Sequence, residues 1–162
     1  MVDIQTVSIA IASASVVAGI VYYAFQLRHQ SKIRQTDLIM RLCSTWASKE
    51  LSDATLKVWN LEFKDYDDFV KKYGPWFSET EVYSAFRMVG NFLGGVATLY
   101  REKLVDIKLL VRVFGLQVTI TWEKIRDLVE GGRRKWNPHM FRDFEYLYNE
   151  IKKQEQRGVK SG

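Results

Sequence analysis

The chain has one cysteine, Cys43, two histidines, His29 and His139, and two prolines among its 162 residues. A single thiol excludes an internal disulfide, and one Cys with two His falls short of a four-ligand structural zinc site. No metal and no cofactor is therefore expected. Two prolines leave long stretches in which nothing forces a helix to stop. Charge is missing as well over one segment, since no Asp, Glu, Lys or Arg stands between Asp3 and Arg28.

That segment is too long for an export signal and has the wrong flanks. A cleavable signal has basic residues first and an apolar stretch of about 7–15 residues. Here Met1-Val2-Asp3 precedes a run from Ile4 to Leu27, 24 residues, or about 36 Å as a helix against about 30 Å of hydrocarbon. The basic residues Arg28, Lys32 and Arg34 follow it. By the positive-inside rule they place the C-terminal side in the cytoplasm and the N-terminus outside. Tyr22 and Tyr23 fall where amphipathic rings favour the membrane interface. The plainer alternative is a buried helix of a water-soluble fold. The expected location is thus the cell membrane, crossed once.

Within the run, Ala10, Ala14 and Ala18 recur at intervals of four, with Ser15 and Gly19 beside them. Small side chains let helix backbones approach in lipid, so this row is the candidate self-association face. Thr6, Ser8, Ser13 and Ser15 are also polar enough to line water if several copies form a ring.

The remaining residues are rich enough in apolar and aromatic side chains, 47% and 14% of the chain, to fold around a core rather than stay disordered. A juxtamembrane helix is expected over 28–50, a helical bundle over 51–153 and a disordered tail over 154–162. Ser52 or Asp53 is a candidate cap for a second helix reaching about Phe63. Gly74-Pro75 should end a short helix from about Asp65. Ser78 and Glu81 have capping-box spacing ahead of the stripe Val82, Phe86, Val89, Leu93, Val96 and Tyr100. Gly94-Gly95 within that helix suggests a close crossing by another helix. A second stripe holds Ile107, Val111, Phe114, Val118, Trp122, Ile125 and Val129 and should end at Gly131-Gly132. Asn137-Pro138 should open a last helix with Phe141, Phe144, Leu147, Tyr148 and Ile151 inward. The fold class is all-α: one transmembrane helix continuing into a cytosolic bundle of about five helices.

The segments "RQTDLIMRLCSTWASKEL", "AFRMVGNFLGGVATLYREKLVDIKLLVRVFGLQVTITWEKI" and "FRDFEYLYNEI", after one N-terminal span, resemble a family of prokaryotic membrane-anchored helical proteins known as a domain of unknown function. The resemblance implies a helical domain on an anchor. It implies no reaction.

Nor do the residues supply one. His29 reads as a membrane-edge residue, His139 as an exposed first-turn residue and Cys43 as a small apolar side chain. Glu62, Asp65, Asp67 and Asp68 lack the glycine and closing glutamate of a calcium loop and read as a solvated acidic turn. The formal net charge of +5 favours anionic partners. Candidate contacts to anionic lipid or nucleic acid are Arg28, Lys32 and Arg34, and the group Arg133, Arg134, Lys135 and Trp136, expected in the turn between the last two helices. The plainer reading of that group is a solvated turn. The function expected is a non-enzymatic interaction or scaffold module that self-associates, contacts membrane lipid and docks a cytosolic protein. The alternatives are a homo-oligomeric pore and a membrane-tethered nucleic-acid binder.

Overall fold

The structure, a computed structural model, describes residues 3–76, 78 and 80–159, without the side chains of Thr6, Val7, Ala10, Gly158 and Val159. Six helices are described: α1 (Ile4–Trp46), α2 (Lys49–Trp59), α3 (Tyr66–Tyr73), α4 (Glu81–Arg101), α5 (Ile107–Lys135) and α6 (Arg142–Val159). No strand occurs among the described residues. The chain divides into two units, Met1–Leu38 and Ile39–Gly162.

In the first unit every described side chain from Ile11 to Arg34 is exposed. Ile20 and Phe25, for example, are 65% and 66% accessible. The α1 helix is long and apolar enough to cross a membrane, judged by length and composition.

The second unit is a bundle. Its core forms where α2 packs on α4, α4 on α6, α6 on α5, and α5 on α2 and α3. The periodic stripes account for this packing. Phe86, Val89, Leu93 and Val96 of α4 are buried, as are Phe114, Val118, Trp122, Ile125 and Val129 of α5 and Phe144, Leu147 and Ile151 of α6, whereas Val82, Tyr100, Ile107, Val111, Phe141 and Tyr148, at the ends or edges of the stripes, are only half-buried. The β-branched run Val118–Thr121 is helical, and α5 continues through Gly115 without a break. Aromatic pairs close the joints: Trp122 meets Phe144 edge-on at 5.1 Å between ring centroids, and Trp46 meets Phe92, tilted, at 5.4 Å. Trp59 Nε1 donates to Thr121 Oγ1 at 2.9 Å, tying α2 to α5.

Several boundaries differ from those read in the sequence. The break after α1 falls at Ala47-Ser48, and Ser48 is the N-cap of α2, accepting from the Leu51 amide at 3.3 Å. Ser52 and Asp53 lie inside α2, which ends at Trp59. Thr80, not Ser78, caps α4 and accepts from the Tyr83 amide. Asn137 opens a turn rather than a helix, its Oδ1 accepting from the His139 amide at 2.9 Å, and α6 begins at Arg142. That helix runs to Val159, past the point where a disordered tail was expected. Residues 160–162 of that tail lie outside the described residues.

The glycine pairs exchange roles. A Cβ on Gly94 or Gly95 would meet nothing within 4 Å, so no helix crosses there. Gly131 and Gly132 do not end α5, which runs on to Lys135. Instead they admit neighbours: Tyr66 lies against Gly131, and Trp76 and Met140 lie against Gly132.

Candidate functional site

Of the proposed self-association row, Ala14, Ser15, Ala18 and Gly19 are exposed on α1. The Ala10 side chain lies outside the described residues. Ser15 Oγ donates to the Ile11 carbonyl at 2.9 Å, and a Cβ on Gly19 would meet open space. The row is therefore smooth, with its hydroxyl turned back onto its own helix. Arg28, Lys32 and Arg34 are exposed farther along the same helix.

The second basic group is not a free turn. Arg133, Arg134 and Lys135 form the last turn of α5, where cations complement the helix dipole. Arg133 Nε donates to the Met140 carbonyl at 2.9 Å, and its guanidinium pairs with Glu145 at 2.7 Å while lying 5.8 Å over the Trp122 ring. Lys135 pairs with Asp67 at 2.6 Å and lies 4.7 Å over the Tyr66 ring. Trp136 Nε1 donates to the Tyr66 hydroxyl at 2.9 Å. Three of the four residues thus hold the bundle together. Arg134 is exposed.

The acidic turn is likewise structural. Asp65 caps α3 by accepting from the Asp68 amide at 2.8 Å. Asp68 pairs with Lys72 at 2.9 Å and accepts from the Lys64 amide at 3.0 Å, which together hold its carboxyl below the ordinary range. Among the described residues no group of three or more His, Cys, Asp or Glu is arranged to hold a metal. Cys43 is half-buried, and His139 is exposed.

What sequence reading missed is a cavity of about 680 Å³ in the second unit, between the start of α4 and the turn ahead of α6. Its wall is a chain of rings. Trp76 lies 5.3 Å from Tyr83 and 5.2 Å from Phe86, and Phe86 lies 5.5 Å from Phe141. The Tyr83 hydroxyl donates to the Gly74 carbonyl at 2.7 Å, and burial pushes its pKa up to about 12, with Tyr66 adding to the shift. Phe141 reaches the wall from a left-handed backbone, φ +51°, a conformation costly for a bulky residue. Gly90 makes that possible, because a Cβ there would stand 2.4 Å from the Phe141 ring.

The polar edge includes Glu81, Ser84, Arg87 and Asn91. Glu81 is committed to Lys57 at 2.5 Å, which holds its carboxyl below the usual range. A second cavity of about 570 Å³ adjoins the first, sharing Asn91 and Phe141 and adding Arg101, His139 and Arg142. Arg101 is paired with Asp143. Among the described residues Arg87 and Arg142 have no ion-pair partner. The only local sign of this site in the sequence is Arg87 and Asn91, four apart on the polar face of α4.

No curated protein and no solved structure matches the chain. One family profile does, described as a domain of unknown function, DUF4760, over residues 11–151 of the 162. That match takes in the greater part of α1 and all of α2 to α5, with the buried positions of α6, and the chain belongs to the DUF4760 family.

Proposed function

We propose that the chain is a membrane-anchored, non-enzymatic interaction module. The apolar part of α1 spans the cell membrane once, with the N-terminus outside, and the helical unit works in the cytoplasm. Copies associate through the row Ala10, Ala14, Ser15, Ala18 and Gly19, and the helical unit docks a cytosolic protein. The observation that carries the reading is the exposure of α1: Ile9, Ile11, Val16, Val17, Ile20 and Phe25 are each at least 60% accessible. So extended an apolar surface is favourable in lipid and costly in water. The small-residue row lies within it, where close approach of backbones is the means by which spans associate.

The pore reading draws less support. The Ser8 and Ser15 hydroxyls donate to the Ile4 and Ile11 carbonyls at 3.0 and 2.9 Å, so neither needs water to satisfy it.

Association is tested by light scattering of the detergent-solubilised chain. The expected result is a multiple of the protomer mass that falls to one protomer in Ala14→Ile and Gly19→Ile and is unchanged in Val17→Ile. A wild-type monomer, or equal behaviour of all three variants, would reduce α1 to a plain anchor.

A further inference from the structure

The geometry points to the cavity beside α4 as a binding site for a small planar aromatic molecule carrying a phosphate or carboxylate. This inference goes beyond the anchor-and-scaffold reading and does not depend on the copies associating.

Three observations converge on it. The cavity volume of about 680 Å³ falls within the roughly 300–1,000 Å³ of small-molecule sites. Its wall is aromatic: Trp76, Tyr83 and Phe86 are buried and form its apolar base, and the half-buried Phe141 presents ring surface against which a flat ring packs. Among the described residues the charge left over at its edge has one sign. The nearby carboxylates Glu81 and Asp143 are each taken by a cation, Lys57 and Arg101, whereas Arg87 and Arg142 keep their guanidinium donors unpaired among the described residues. A guanidinium is suited to a two-pronged contact with phosphate or carboxylate. Arg87 and Asn91 stand one helical turn apart on α4, so an anionic group at the edge can take donors from both.

Two further features are accounted for by a ligand here. Phe141 is held at φ +51° where its ring divides the aromatic cavity from its basic neighbour. Backbone strain of this kind clusters at binding sites because the surroundings must enforce it. Gly94 lines the neighbouring cavity, and a Cβ on it would meet nothing within 4 Å. The helix cost of a glycine at this position, about 1 kcal/mol against alanine, is not offset by packing. An unfilled floor beside Arg142 and His139 leaves room for a second anionic group on a longer ligand.

The class has two natural sources, nucleotides and aromatic acids, and both can be probed on the full chain in detergent micelles. Saturation-transfer NMR and calorimetry would be run with AMP and with indole-3-acetate, each against its uncharged counterpart, adenosine and indole-3-acetamide. At least one anion should bind, and its neutral partner should bind about tenfold more weakly or not at all, as loss of a charge-assisted hydrogen bond requires. Binding of AMP alone would identify a nucleotide site, and of indole-3-acetate alone an aromatic-acid site. Arg87→Gln should weaken the bound anion about tenfold, and Ser84→Trp, an exposed rim position, should block the cavity while the helical circular dichroism is retained. Arg112→Gln, on the exposed side of α5, should change nothing. The proposal is overturned if neither anion binds, if the neutral partners bind equally well, or if Arg87→Gln and Ser84→Trp leave binding as it was.

Discussion

Gly131 of α5 carries no side chain because Tyr66 occupies that space: a Cβ on Gly131 would stand 2.3 Å from the Tyr66 Cβ. The obstacle is the root of the side chain rather than its mobile end, so rotation of the ring cannot clear it. Gly131→Ala should destabilise the helical unit by roughly 1–3 kcal/mol despite alanine's better helix propensity. Gly95→Ala should do the opposite. Its position is exposed and open, so only the propensity gain of up to about 1 kcal/mol remains. Thermal melts followed by circular dichroism should therefore move in opposite directions for the two substitutions.

Trp122 is 2% accessible, packed edge-on to Phe144 and lying under the Arg133 guanidinium. Trp122→Ala removes a large buried surface and leaves a cavity, at a cost of about 3–5 kcal/mol. Denaturant titration in mild detergent measures it, and a change within about 0.5 kcal/mol would contradict this packing.

The acid limb of stability should follow two exposed ion pairs. Lys57 lowers the pKa of Glu81, and Lys72, with the Lys64 amide, lowers that of Asp68. A lowered folded pKa means the contribution is present above the unfolded value, near 4, and is lost as pH falls through the folded value. The melting temperature should drop as pH falls below about 4, and Glu81→Gln should make that drop smaller. On the alkaline side Tyr83 and Tyr100 are pushed up to about 12, chiefly by burial. Their contribution is whole below the unfolded value near 10 and is lost as pH rises through about 12. Phenolate absorbance should show a late-titrating fraction that shrinks in Tyr83→Phe.

The proposed orientation rests on Arg28, Lys32 and Arg34. Protease added to intact cells should leave the helical unit whole, and digestion of that unit from outside would reverse the assignment. Neutralising all three residues should produce a mixed orientation, because Lys and Arg near a span dominate its insertion.

The helices were legible where many residues vote together. The stripes of α4 and α5 repeat over about five turns or more and that of α6 over about three, and most repeats are set by burial, so most inward positions could be read directly. Caps depend on one residue. Ser48, Ser52 and Asp53 are all competent, and the choice of Ser48 places Leu51, Ala54 and Val58 inward together. The two glycine pairs are indistinguishable by sequence because the side chain that fills or spares the space comes from elsewhere in the chain. Tyr66 approaches Gly131 and Phe141 approaches Gly90, and neither partner is close in sequence. The cavity was hidden for the same reason, its rings being drawn from separate segments. The basic run 133–135 was visible as charge, but its commitment to Met140, Glu145 and Asp67 arises only on folding.

Cys43 is the sole thiol of the chain and sits half-buried near the end of α1, one turn before Trp46. An unsubstituted protein therefore accepts one maleimide spin label per copy, with no competing site. Any dipolar coupling seen between labels has to be intermolecular, so an unmodulated echo reports a lone protomer and an oscillating one reports the spacing between protomers. The native chain is its own ruler for stoichiometry, without a cysteine-free background having to be engineered first.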